Sequence, residues 1–208
     1  NTSGKVHNLN KERARIFYAA PSHKRLVRIV DWMDERGIVR SSDHYNKYGA
    51  LYARTVFNAK GQKVNRTYFS AEGEEIIHMN YVTNDIILNE GNTVRFFKNL
   101  TEFVCYFMKV TGLAEKRIFF NTLSTSFFVS RRMPATGKKD ILFWQEPERP
   151  DIPGNMKIIL EGDSPRDCEI KVQNKDAYKK LLALGASEEI VHSLGYIYPF
   201  KKECEYKP

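Results

Sequence analysis

Apolar and polar positions alternate through the first half of the chain and fall into a helical rhythm in the second. From about residue 27 to residue 97, Val, Ile, Thr, Tyr and Phe are interleaved with Lys, Arg and Asn. The runs are cut short by Glu35-Arg36-Gly37, Ala59-Lys60-Gly61, Glu72-Gly73 and Glu90-Gly91. Side chains of a strand point alternately to its two faces, and Gly supplies the positive φ of a tight turn, so this stretch predicts an antiparallel meander. Strands are expected at 14–18, 26–32, 52–57, 64–69, 75–80, 85–89 and 93–97. Residues 1 to about 12 are polar and read as an edge or an excised loop. The polar and aromatic string Ser41-Ser42-Asp43-His44-Tyr45-Asn46-Lys47-Tyr48-Gly49 interrupts the alternation and predicts a bulge or an exposed loop.

Beyond residue 99 the period changes. Leu100, Phe103, Val104, Phe107 and Met108 recur at the spacing of one helix face, with Asn99 or Thr101 as N-cap and Gly112 as stop. Strands are then expected at 117–120, 141–144, 168–172 and 196–198. Helices are expected at 124–131, from 151–153 onward, at 175–184 and at 187–194. Helices alternating with strands mark a parallel α/β layer, and the continuous apolar run at 141–144 suits a strand buried on both faces. Four such strands are too few for a complete doubly wound domain. Part of that domain is therefore expected outside this chain, or the strands near Phe17 and Val27 complete the sheet.

With 42% apolar residues among 208, the chain can bury a core, which excludes a disordered protein. Lys and Arg number 33 against 25 acidic residues, a formal charge of +8 that favours acidic partners or simply a solvated surface. The basic residues are spread in pairs such as Lys24-Arg25 and Arg131-Arg132, and none forms a nucleic-acid arm. No nucleic-acid partner is expected, while peripheral association with an anionic membrane stays open. Cys105, Cys168 and Cys204 are odd in number and far apart, which fits neither a disulfide framework nor a zinc site, and points to a reducing, cytoplasmic compartment. Cys105 falls on the apolar face of its helix and is expected in the core. No signal peptide opens the chain and no apolar run approaches the length of a membrane span.

Ligands of an open parallel sheet bind beyond the carboxyl ends of its strands. Those ends carry Asn121, Ser124, Gln145, Glu146 and Asn174, groups that orient a peptide or a sugar by hydrogen bonds, or that cap the helices following them. Glu146 has no second acid or histidine placed to support it as a general base. No glycine-rich phosphate loop and no serine nucleophile elbow occur, and the five histidines lack metal-ligand spacing, so no self-sufficient catalytic site and no metal are expected. On the meander, Tyr45, Tyr48, Tyr52 and Tyr68, with Asn65, Asn80 and Tyr81, offer adaptable contacts to another protein or an extended polypeptide, or form an ordinary solvated face.

Five strings stand out: Ser42-Asp43-His44-Tyr45-Asn46-Lys47-Tyr48-Gly49, Thr83-Asn84-Asp85-Ile86-Ile87-Leu88-Asn89, Asp140-Ile141-Leu142-Phe143-Trp144-Gln145-Glu146-Pro147, Pro153-Gly154-Asn155-Met156 and Leu194-Gly195-Tyr196-Ile197-Tyr198-Pro199. In order and spacing, from about residue 11 to 201, they resemble the GtfB family of accessory Sec system glycosylation chaperones of Gram-positive bacteria. The resemblance implies an α/β plus β fold, with an antiparallel β-meander (13–98) inserted into a Rossmann-like half (99–202) of a GT-B-type fold. It implies a non-catalytic subunit that binds and stabilises the glycosyltransferase GtfA and engages the Ser/Thr-rich polypeptide of serine-rich repeat adhesins during O-linked GlcNAc addition. On that view Asn121, Ser124, Gln145, Glu146 and Asn174 are acceptor-binding and Tyr45, Tyr48, Tyr52 and Tyr68 partner-binding. The chain itself needs no cofactor, because UDP-GlcNAc is bound by the catalytic partner. Relative to the family, a leading β-α portion before Lys11 and a second lobe after Lys201 are missing. The competing reading is a piece of a catalytic GT-B GlcNAc transferase, GtfA-like or of the teichoic-acid type.

Overall fold

The computed structural model of the chain describes residues 2–145 and 154–194. Nine strands form one antiparallel sheet in sequence order: β1 Ser3–Asn8, β2 Lys11–Tyr18, β3 Val27–Met33, β4 Val39–Tyr45, β5 Leu51–Phe57, β6 Lys63–Phe69, β7 Glu75–Asn80, β8 Ile86–Glu90 and β9 Thr93–Phe97. The polar start of the chain is therefore no loop but the edge strand of this sheet. Residues 3–8 pair with β2, an arrangement that needs little apolar surface because backbone hydrogen bonds do most of the joining.

A turn repeat sets the register of this sheet. Asp34, Asn46, Asn58 and Ser70 stand twelve residues apart, and each is followed three residues later by a glycine: Gly37, Gly49, Gly61 and Gly73. The side-chain oxygen of the first residue accepts the backbone N–H groups two and four residues on. Asp34 takes those of Arg36 at 2.9 Å and Ile38 at 3.0 Å, and Asn58 those of Lys60 at 2.9 Å and Gln62 at 3.0 Å. Asn46 and Ser70 repeat the pattern. The four glycines hold φ between 75° and 87°, which side chains rarely adopt. Each of these hairpins also carries a bulge beside its turn, at Trp32/Met33, His44/Tyr45, Val56/Phe57 and Tyr68/Phe69. A bulge admits one extra residue and re-aims the side chains after it.

The string at 41–49 is accordingly a strand followed by a turn. Ser42 and Asp43 are buried in β4, where cross-strand partners compensate the polar groups that suggested a loop. Buried positions of the sheet mix apolar residues (Ala14, Val30, Ala53, Ile86, Phe97) with polar ones (Ser42, Asp43, Thr55, Thr67), and the polar ones fall on both faces.

The helix α1, Leu100–Val110, follows directly. Asn99 Oδ1 accepts the N–H of Glu102 at 3.0 Å, and Gly112 follows the helix at φ 70°. The chain divides into compact units Asn1–Phe103 and Val104–Pro208. In the second unit, β10 Phe119–Phe120, β11 Asp140–Trp144, β12 Cys168–Val172 and β13 Val191–Ser193 form a parallel sheet in that order. They are linked by α2 Thr125–Arg132, α3 Gly154–Leu160 and α4 Lys175–Ala183. Leu142, Ile170, Val172 and Val191 pack against Phe127, Met156, Ile159 and Leu181 as one core. Cys105 joins a smaller cluster with Val129 and Met133, as its place on the helix face predicts.

Two expectations change here. Residues 187–194 are a single turn leading into β13, because Val191 pairs with Ile170 and buries its β-branched side chain. The strands near Phe17 and Val27 belong to the antiparallel sheet and do not complete the parallel one. The helix start at 151–153 and the strand at 196–198 lie outside the described residues. No helix among the described residues is long and apolar enough to cross a membrane.

Candidate binding site

The turn repeat aligns polar side chains across β3–β6 in two networks, one on each face of the sheet. On the first face, the Asp43 carboxylate is 3% exposed. It accepts from Trp32 Nε1 at 3.0 Å and from Arg54 through Nε at 2.6 Å and Nη2 at 3.0 Å. This two-pronged pairing satisfies a charge that could not otherwise be buried, and donating to the Asp43 carboxylate holds the Arg54 guanidinium more firmly protonated than usual. Thr67 Oγ1 lies 3.1 Å from His78 Nδ1 further along the same face.

On the opposite face, Ser42 Oγ donates to Asp31. Beside them, Arg66 Nε donates to Thr55 Oγ1 at 2.8 Å and Arg66 Nη2 lies 3.1 Å from His44 Nε2. Thr55 Oγ1 is also 3.2 Å from that nitrogen. A guanidinium only donates, so His44 Nε2 must accept, and the imidazole is neutral with its proton on Nδ1. Burial, seconded by the Arg66 charge, pushes the His44 pKa below the ordinary imidazole value, in agreement with that geometry. The network lines an open depression of about 330 Å³. Phe17, Ile29 and Phe57 supply its apolar walls, and Arg28 and Lys63 stand beside Arg66 as further cations.

The four tyrosines expected to meet a partner do not share one surface. Tyr52 is the extra residue of the His44/Tyr45 bulge, and its ring lies 6.2 Å from that of His44. The Tyr68 ring lies 5.9 Å from the Arg66 guanidinium carbon. These two flank the depression. Tyr45 falls on the Asp43 face by strand alternation, and burial together with Asp43 raises the pKa of its hydroxyl. Tyr48 sits 80% exposed at the tip of the β4–β5 turn, with Lys47 Nζ 4.8 Å from its ring centroid.

The described candidates at the parallel sheet, Asn121, Ser124, Gln145 and Asn174, do share one end of it. Asn121 follows β10 and Gln145 follows β11, both exposed. Ser124 occupies the N-cap position of α2 without a capping bond, and its Oγ pairs with Thr122 Oγ1 at 2.7 Å. Asn174 caps α4, accepting from Ala177 N at 2.6 Å. Glu146 lies outside the described residues. The network of His44, Thr55 and Arg66 was not foreseen. Its signal is an eleven-residue spacing, seen at 44/55/66, 32/43/54, 31/42 and 67/78, which places polar residues as cross-strand neighbours once the turns repeat every twelve.

Comparison with known proteins follows the same division. A family model described as "GtfB middle domain" matches residues 1–98, and "GtfB third domain" matches 100–184. The UDP-N-acetylglucosamine–peptide N-acetylglucosaminyltransferase stabilizing proteins GtfB of Streptococcus pneumoniae serotype 4 and Streptococcus agalactiae are 39% and 40% identical, over 98% and 97% of this chain. The chain spans 46% of the length of each. Among solved structures, a chain of the GtfA/B complex bound to UDP and GlcNAc superposes with a TM-score of 0.78 at 38% identity, covering 96% of this chain and 46% of that one. Staphylococcus aureus TarM shares the fold at a TM-score of 0.58 and 11% identity, over 97% of this chain and 44% of that one.

Proposed function

The chain belongs to the GtfB family, and on that premise we propose that it is part of a non-catalytic subunit that binds and stabilises a GtfA glycosyltransferase and engages the Ser/Thr-rich acceptor during O-linked GlcNAc addition. The observation that carries this reading is the consecutive match of two GtfB domains over 1–98 and 100–184, joined to the TM-score of 0.78 against a chain of the GtfA/B complex. On this reading the parallel sheet is part of a Rossmann-like lobe of a GT-B-type fold and the antiparallel sheet is its insertion. UDP-GlcNAc is held by the partner. The acceptor lies along Asn121, Ser124, Gln145, Glu146 and Asn174, while tyrosines of the antiparallel sheet contact the partner. Supporting features are the amides and hydroxyls at one end of the parallel sheet and the exposed Tyr48.

The test is to express GtfA with and without the full-length protein, and to follow its melting temperature and GlcNAc transfer from UDP-GlcNAc to a Ser-rich polypeptide. Stabilised GtfA and faster transfer are expected, with no transfer by the full-length protein alone. Transfer by that protein alone would favour a catalytic GlcNAc transferase, and an unchanged GtfA would overturn the stabilising role.

A further inference from the structure

We propose that the depression on the His44 face of the antiparallel sheet is a subsite for an acidic side chain of the polypeptide acceptor, with the Arg66 guanidinium as its anchor. The inference rests on the acceptor-engaging role just proposed and adds a charge preference to it. Arg66 spends two of its five N–H donors inside the protein, one on Thr55 and one on His44, at 2.8 Å and 3.1 Å. Those two bonds fix the plane of the guanidinium and leave three donors for a ligand, the fork that matches a carboxylate. Among the described residues Arg28, Lys63 and Arg66 make no ion pair. The one carboxylate in the wall is Asp31, and it already accepts from Ser42. Three cations against one partnered anion leave the site with a surplus of two positive charges.

His44 sharpens this reading. It is neutral where a protonated imidazole would add charge, and its role is to hold Arg66 in place. The hollow is open and, at about 330 Å³, of the size that takes a short stretch of polypeptide with one side chain inserted. Phe17, Ile29 and Phe57 offer apolar walls to the stem of Glu or Asp. A carboxylate entering here loses water on one side and gains charge-assisted hydrogen bonds from a group that needs no rearrangement.

The experiment uses the full-length protein in complex with its glycosyltransferase partner and three fluorescent Ser/Thr-rich peptides of equal length, one neutral, one carrying Glu and one carrying Lys at the same positions. The acidic peptide is expected to bind about tenfold more tightly than the neutral one, with a preference that shrinks as salt rises. Arg66→Gln and Lys63→Gln should abolish that preference. Arg36→Gln, the same charge change on an exposed turn, should leave it intact. Lys63 is exposed, so its variant keeps the test open even if Arg66→Gln misfolds. Asp31→Asn should tighten the acidic peptide further. Equal binding of the neutral and acidic peptides overturns the subsite while leaving the acceptor-engaging role standing. A preference unmoved by Lys63→Gln and Asp31→Asn overturns it too, by placing the preference elsewhere. Failure of all three peptides to bind overturns both.

Discussion

Arg66 reaches His44 only while the imidazole is neutral, which makes that residue a reporter of the whole face. Burial and the Arg66 and Lys63 charges push its pKa down, against the milder pull of Asp31 and Asp43, from an ordinary 6.5. The folded protein therefore resists a proton that the unfolded chain accepts. Stability from this group is intact above about 6.5, falls as pH drops below that value, and levels off once pH passes the depressed folded pKa. An NMR titration of the His44 ring should show a midpoint below 6.5, and a midpoint at or above it would contradict the tautomer assigned here. On the other face, Asp43→Ala removes the acceptor of Trp32 and Arg54 together; we expect a loss of about 2–3 kcal/mol by urea unfolding, discounted because Arg54 is half-exposed. Cys168 carries a third expectation. Burial and the nearby Asp140 raise its thiol pKa to about 12, so it should stay unalkylated by iodoacetamide at neutral pH in the folded protein, as read by mass spectrometry.

At the scale of elements, the hairpins carry the argument. A Gly61→Ala change forces a side chain into φ 75° with nothing within 4 Å to clash, so the cost is backbone strain alone, about 1–2 kcal/mol. Asn58→Ala removes two acceptor bonds in the same turn and should cost about 1 kcal/mol; equal stability of either variant and the parent in urea would show that the turn does not set the register. Glycine turns and alternation made most strands legible from sequence. They did not reveal β1, whose residues are nearly all polar and which is held by pairing with β2, or β4, whose buried Asp43 looks like a loop residue until Trp32 and Arg54 are placed beside it. The 187–194 segment misled for another reason: Ser187 starts a helix-like turn, and only the parallel pairing of Val191 with Ile170 ends it. Long-range polar contacts were hidden altogether. Arg166 reaches Asp140 at 3.4 Å from 26 residues away, and no local pattern announces it. The residues at the carboxyl ends of the parallel strands were legible as a group because topology alone gathers them. The Arg66 site was not, since it depends on a register that appears only when the twelve-residue repeat is recognised.

For the whole molecule, a stabilising subunit makes a quantitative claim that a folding catalyst does not. A protein that binds only the native state of its partner shifts unfolding by RT ln(1 + [L]/Kd), which grows by about 1.4 kcal/mol for each tenfold rise in free concentration above Kd. A catalyst of folding changes rates and leaves that equilibrium alone. If the proposed role is right, the melting temperature of GtfA should climb with the logarithm of the full-length protein's concentration, with no ceiling once the complex is stoichiometric. A shift that is complete at substoichiometric amounts, and flat thereafter, would contradict stabilisation by binding. Charge makes a second cut through the same experiment. With a formal charge of +8, any part of the association that is electrostatic must weaken with salt, whereas contacts through apolar surface such as Val94 and Phe96, both exposed on β9, must not. Repeating the titration at low and high ionic strength therefore separates an interface built on the basic residues from one built on the exposed apolar strand.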